Sequence, residues 1–181
     1  MINVTNQLKT ESLLNSNYYV TANAVLRDGT TLNLEKEDFY LGGNGIVDSS
    51  DSGDFPVGVA IEKTATLALV NDDDRFSDYN FAGAQFTLFL NLQLSDRLET
   101  IRRGTFIVSK KPATSDEINL TLLDYMSKAE IDYNTNLTFP CSVREVLEDA
   151  CQQTGIVMGD ATFKNADYQV QKKPENTTFR A

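Results

Sequence analysis

At 181 residues with 41% hydrophobic side chains, the chain has room for one generous domain or two small ones and enough apolar material for a buried core. Its 16 basic and 26 acidic side chains leave a formal charge of −10, which excludes default binding to phosphate backbones, because nucleic-acid binders carry basic patches. Histidine is absent, so no Ser-His or Cys-His dyad and no His-ligated metal site can be assembled from this chain, and two cysteines cannot close a structural zinc site.

No basic start followed by an apolar run marks a secretory leader, and the apolar runs fall far short of the roughly 20 residues that span a bilayer. The Asn-x-Ser/Thr triplets at Asn3, Asn119, Asn136 and Asn176 are therefore read as composition rather than glycosylation sites. Cys141 and Cys151 flank a segment of helical pattern, which would hold their Cα atoms roughly 15 Å apart. A disulfide needs less than about 7 Å, so both are expected as free thiols made in a reducing cytoplasm. The basic doublets Arg102–Arg103, Lys110–Lys111 and Lys172–Lys173 are read as solvated strand ends. Trp is absent, which weakens sugar stacking.

The first sixteen residues predict a short amphipathic helix capped by Thr5, with Leu8, Leu13 and Leu14 on its apolar face. Two apolar runs, Tyr18–Leu26 and Thr30–Leu34, are separated by Arg27-Asp28-Gly29. Asp-Gly between such runs signals a hairpin whose two turn residues both take positive φ. Residues 41–54 read as a loop around a short strand near Gly45–Asp48. Gly42-Gly43-Asn44-Gly45 invites a phosphate-cradle reading, but the Lys-Ser/Thr and the following helix are missing, so a flexible turn is expected.

Ile61–Val70 alternates, with Ala65, Leu67 and Leu69 on the core side. Asp72-Asp73-Asp74 lacks the alternate spacing, the glycine and the terminal glutamate of a calcium loop and reads as an acidic turn, with Phe76 and Phe81 tucked onto the core. Gln85–Leu94 is the clearest strand, with Phe86, Leu88, Leu90, Leu92 and Leu94 on one face. Ile101–Ser109 and Ile118–Leu123 follow, joined by a polar turn at Pro112–Asp116. Short strands punctuated by turns point to a small antiparallel barrel or sandwich.

Beyond Pro140, Ser142 and Glu145 form a capping box, Val143, Val146, Leu147 and Ala150 recur at helical spacing, and Gly155 is placed to end the helix. A helix is predicted over 142–154. Ile156-Val157-Met158 and Tyr168–Gln171 are short strand candidates, and Thr177–Ala181 reads as the first turn of a helix cut short by truncation. With 26 acidic residues a chance carboxylate pair is inevitable, so none is promoted to a glycosidase role. Ser142 and Cys151 lack an activating base of the usual kind. No catalytic, cofactor-binding or metal residue is assigned, and an enzyme is not expected.

Four stretches carry a resemblance. They are Val25-Leu26-Arg27-Asp28-Gly29-Thr30 with Leu32 and Asn33; Val57-Gly58-Val59-Ala60 leading through Thr66–Asn71, Phe76-Ser77 and Tyr79-Asn80-Phe81 to Gly83-Ala84; Arg103–Val108 followed by Leu122–Lys128; and Thr138-Phe139-Pro140 with Val146-Leu147, Ala150-Cys151 and Gly155. Their succession resembles the N-terminal region of phage and prophage tail hub proteins of Gram-positive bacteria, also known as tail-associated or baseplate hub-like proteins. One departure is the short N-terminal segment, which leaves little room for tail-assembly extensions.

The resemblance implies a mainly β fold with an α+β second part. A helix and a small antiparallel β-barrel facing the tail tube would occupy 1–125, and a mixed α/β domain would begin at 126–181. It implies a structural virion subunit at the tail tip, made in the bacterial cytoplasm, that caps the tube and helps form the DNA channel. The full-length protein would form a homotrimer and meet the distal tail protein, the tail tube and the tape-measure protein, with no cofactor, no tight nucleic-acid binding and no membrane insertion. The alternative is a β-sandwich module that binds carbohydrate or a cell surface, which a concave face lined by some of the seven tyrosines would favour.

Overall fold

Runs of alternating apolar residues recur through the first 125 positions and commit those runs to strands. The computed structural model describes residues 5–11, 18–40, 42, 44–49, 62–110, 112, 115–159 and 162–173. The chain divides into two compact units, one of residues 1–47 and 63–124, the other of 48–62 and 125–181. The sequence reading drew a single break after residue 125.

The first unit is built on one antiparallel sheet of seven strands: β1 (Tyr18–Val25), β2 (Thr31–Leu34), β3 (Gly45–Ser49), β4 (Glu62–Val70), β5 (Gln85–Gln93), β6 (Leu98–Val108) and β7 (Glu117–Asp124), in the order β2-β1-β5-β6-β7-β4-β3. The β1–β2 hairpin forms, but with a different turn from the one expected. Gly29 N–H donates to Leu26 O at 3.1 Å, Leu26 N–H donates to Thr30 O at 2.8 Å, and Gly29 takes φ 89° while Asp28 does not turn left-handed. This is the three-residue connection with glycine at its left-handed position. The Asp28 carboxylate accepts Thr30 N–H at 2.9 Å, which lowers its pKa.

Side chains of alternating register make the core. Ala22, Ala24, Leu34, Ala65, Leu67, Leu69, Phe86, Leu88, Phe106, Val108, Ile118, Leu120 and Leu122 join a single cluster contributed by six strands. A flat sheet could not gather residues from both margins in one cluster, so the sheet is curled. A closed barrel is nevertheless not found. Among the described residues no ladder joins β2 to β3. Instead the chain leaves β2, makes a 3-10 turn at Lys36–Asp38, and crosses to β4, where Phe39 forms one isolated bridge with Leu69 and Tyr40 N–H donates to Ala68 O at 3.0 Å.

Two further features shape this unit. Leu92 and Leu94 leave the main core and pack with Ile101 and with Leu8 of helix α1 (Asn6–Glu11). Thr5 ties α1 down through its hydroxyl, which donates to Glu99 Oε2 at 2.6 Å; Leu13 and Leu14 lie outside the described residues. The loop after β4 is held by Asn71, and its Phe76 and Phe81 enter the core as expected. The three aspartates of that loop are engaged separately, Asp72 with the Tyr40 hydroxyl, Asp73 with Arg75 N–H and Asp74 with the Ser77 hydroxyl. Arg75 also pairs with Asp38.

The second unit contains a 3-10 turn at Tyr125–Ala129, strand β8 (Cys141–Ser142), helix α2 (Val143–Thr154) and strand β9 (Gln169–Val170), which pairs antiparallel with β8. The predicted capping box is present. Ser142 Oγ accepts Glu145 N–H at 3.2 Å, Glu145 Oε2 accepts Ser142 N–H at 2.7 Å, and Gly155 ends the helix at φ 68°. Ile156-Val157-Met158 is not a strand: no neighbour among the described residues pairs with it, and Val157 is 89% exposed. Tyr168–Gln171 is reduced to the two residues of β9. Thr177–Ala181, Gly43, Gly53 and Val57–Ile61 lie outside the described residues. No described helix is long and apolar enough to cross a membrane.

The Ser142 backbone N–H and hydroxyl hold the Glu145 carboxyl below its ordinary 4.5. A carboxylate with a depressed folded-state pKa stabilises above its unfolded value, and that contribution disappears as pH falls through the folded value. Glu145→Gln is therefore expected to cost stability at pH 7 and to cost progressively less as the pH drops below about 4.5. Urea unfolding of both proteins across that range measures the convergence.

Both cysteines are free, Cys141 buried in β8 and Cys151 half-buried on α2. Burial pushes the Cys141 thiol up, with Glu145 and Asp149 adding to the effect. Because the thiolate is the reactive form, an aromatic disulfide at pH 8 is expected to label Cys151 first and Cys141 only on unfolding. Peptide mapping of the labelled protein reads the order.

Candidate binding slot at the sheet margin

The departure of the chain from β2 leaves part of β1 uncovered. Ala22 pairs with Leu34, the last residue of β2, so Tyr18–Thr21 extend beyond it and pair only with β5 in the described ladders. The exit is fixed locally: Asp38 N–H donates to Glu35 O at 3.0 Å, and the Asp38 carboxylate accepts Glu35 N–H at 2.7 Å. The result is a slot between the free margin of β1 and the segment that crosses to β4.

The far wall is pinned by Asn44. Its Nδ2 donates to Tyr40 O at 2.6 Å, and its Oδ1 accepts Ala68 N–H at 2.8 Å. Tyr40 is anchored in turn, because its hydroxyl donates to Asp72 at 3.0 Å, and the carboxylate pushes the phenol above its ordinary 10.0. Two adjoining cavities fill the slot and share Tyr18, Val20 and Asn44 in their walls. One, of about 270 Å³, is lined by Tyr18, Tyr19, Phe39 and Tyr40 with Lys36. The other, of about 240 Å³, is mostly aliphatic, with Val20, Ile46, Leu67, Leu88 and Leu90, and it contains Arg103.

Arg103 reaches this cavity because of an irregularity in β6. Gly104 pairs with Leu88 and Arg102 pairs with Phe89, so Arg103 is the extra residue of a β-bulge. Bulges re-aim side chains in this way. Gly104 makes it possible, with φ 152° and a position where a Cβ would lie 3.1 Å from the Phe106 ring. The doublet therefore splits. Arg102 is exposed and donates to Thr105 Oγ1 at 2.8 Å. Arg103 is half-buried and has no hydrogen-bond or ion-pair partner among the described residues. The expectation of a solvated strand end fails for this doublet, since both arginines sit inside β6. A glycine directly after two arginines in a strand pattern was the available signal.

Other features weighed on sequence have plainer places. Gly42 and Gly45 line the slot beside Asn44. Ser142 and Glu145 serve the helix cap. Among the described residues, no group of three or more Cys, Asp or Glu side chains is arranged to hold a metal ion. Comparison of the sequence with models of known protein families finds no match, and comparison with curated proteins finds none either.

Proposed function

We propose that this chain is a structural subunit of a phage or prophage tail tip, the N-terminal part of a hub that caps the tail tube and helps form its DNA channel. What supports the reading is that the resembling segments lie on a mostly β unit followed by a capped helix, the coarse order that the resemblance implies. The first hairpin motif lies on β1–β2 and Thr66–Val70 on β4. Phe76–Ala84 spans the core-anchored loop, Arg103–Val108 ends β6, and Leu122–Lys128 runs from β7 into the following 3-10 turn. Phe139–Gly155 spans β8 and the capped α2.

In this reading the curled sheet is a barrel that assembly completes. The margins at β2 and β3 have no further ladder among the described residues, and a ring neighbour would cover them. Helix α2 has no fully buried residue among its described positions, and Leu147 is 40% exposed, which leaves an apolar stripe for contacts in the assembly. The charge of −10 suits a conduit wall that must not grip DNA. The partners would be two further copies, the distal tail protein, the tail tube and the tape-measure protein. The role needs no cofactor or catalysis, and it places the protein in the virion tail after synthesis in the cytoplasm. Light scattering on the full-length gene product is expected to give three times the chain mass; a monomer at every concentration contradicts the trimer.

A second reading, a module that binds carbohydrate or a cell surface, draws support from the tyrosines of the slot. Of the three, Tyr19 lies beneath Lys36 Nζ at 5.7 Å and Tyr40 is tied to Asp72, whereas Tyr18 is 62% exposed. Stacking on a sugar would thus rest on Tyr18. Calorimetric binding of cell-wall oligosaccharide that Tyr18→Ala abolishes would favour this reading.

A further inference from the structure

We infer that the slot binds the end of an extended peptide, taking its last apolar side chain into the aliphatic cavity and its terminal carboxylate onto Arg103. The inference does not depend on the hub reading.

Three observations converge. The margin of β1 at Tyr18–Thr21 has backbone groups that β2 does not reach, and such an edge accepts an added strand through main-chain hydrogen bonds. The aliphatic cavity beside it, about 240 Å³, lies below the usual range for drug-sized ligands and suits a single large side chain. Arg103, half-buried, lines that cavity with no partner among the described residues. A half-buried guanidinium beside apolar walls keeps only part of its hydration, and its planar fork matches a carboxylate.

The positions are mutually consistent. Arg103 belongs at the step between Leu88 and Phe89 of β5, and these residues pair with Ala22 and Thr21 of β1. The bulge therefore lies level with the point where β2 ends, two strand spacings from β1 and three, about 14 Å, from where an added strand would lie, a span that the arginine side chain and the peptide's last residue would close between them. An occupant must present an apolar group and a carboxylate close together. A C-terminal Leu, Ile, Val or Phe does both in one residue, and the chain preceding it can run along the β1 margin. A fatty carboxylate would satisfy the cavity and Arg103 but would leave that margin unused.

The test uses the 181-residue chain, immobilised, and a pool of hexapeptides with five random positions ending in Leu, Ile, Val or Phe. Half the pool carries a free carboxylate and half an amide, and captured peptides are counted by mass spectrometry. Free acids are expected to be enriched about tenfold or more over matched amides, the scale of one charge-assisted bond. Arg103→Gln should erase that preference, while Arg102→Gln, altering the neighbouring exposed arginine, should keep it. Circular dichroism checks that both variants fold. Equal capture of acids and amides, or capture no better than a blank surface, overturns the inference. Displacement of the peptides by octanoate at equal concentration also overturns it, in favour of a small amphiphile.

Discussion

Phe86→Ala is expected to lower the unfolding free energy by about 3–5 kcal/mol, the range for large aromatic truncations in cores. Phe86 is 0% exposed and sits directly opposite Phe106 in the β5–β6 ladder. Its ring centroid lies 6.0 Å from that of Phe81, which fastens the loop between β4 and β5. Truncation therefore opens a cavity where two strands and a loop meet, and surrounding side chains from six strands cannot all collapse into it. Urea unfolding should show a lower midpoint with an unchanged slope, because the fold is weakened rather than loosened. A loss under 1 kcal/mol would mean that the core does not close around this ring.

Asn71→Ala is expected to cost roughly 2–4 kcal/mol, an unusually large effect for a polar residue. Asn71 is 1% exposed, and its Oδ1 accepts Phe76 N–H at 2.8 Å. Its Nδ2 donates to Ser115 O at 2.9 Å and to Ser77 Oγ at 3.2 Å. Alanine removes these bonds and strands a buried N–H, which costs more than the bonds themselves contribute net. The damage should be local first. Limited proteolysis is expected to cut after Arg75 or Tyr79 in Asn71→Ala under conditions that leave the parent intact. Asn71→Asp keeps the acceptor but loses the donor and buries a charge, so it should not rescue the loop.

What was legible in the sequence was local. The alternation at Gln85–Gln93 and Glu117–Asp124 marks strands wherever they pair, and Ser142, Glu145 and Gly155 specify α2 through contacts within the helix itself. The hairpin was legible from Asp28-Gly29, but its turn type was not, because connection length and sheet twist together decide which residue goes left-handed. The slot was hidden for a different reason. It exists because β2 stops at Leu34 and Phe39 bridges to Leu69, a pairing across 30 positions that no short pattern encodes. Asn44 reads as a turn residue in the sequence, and its bond from Ala68 N–H, 24 positions away, is invisible there. Arg103 looked like surface until the register of β5 against β6 exposed the bulge. Ile156-Val157-Met158 misled in the opposite direction, since a β-prone run with no partner stays out of any sheet.

Electron microscopy of the full-length gene product mixed with a tail-tube protein tests most directly whether it forms the ring proposed for a tail hub. Class averages are expected to show threefold rings with a central channel seated on the end of the tube. Particles that remain single and leave the tube ends bare would contradict the claim.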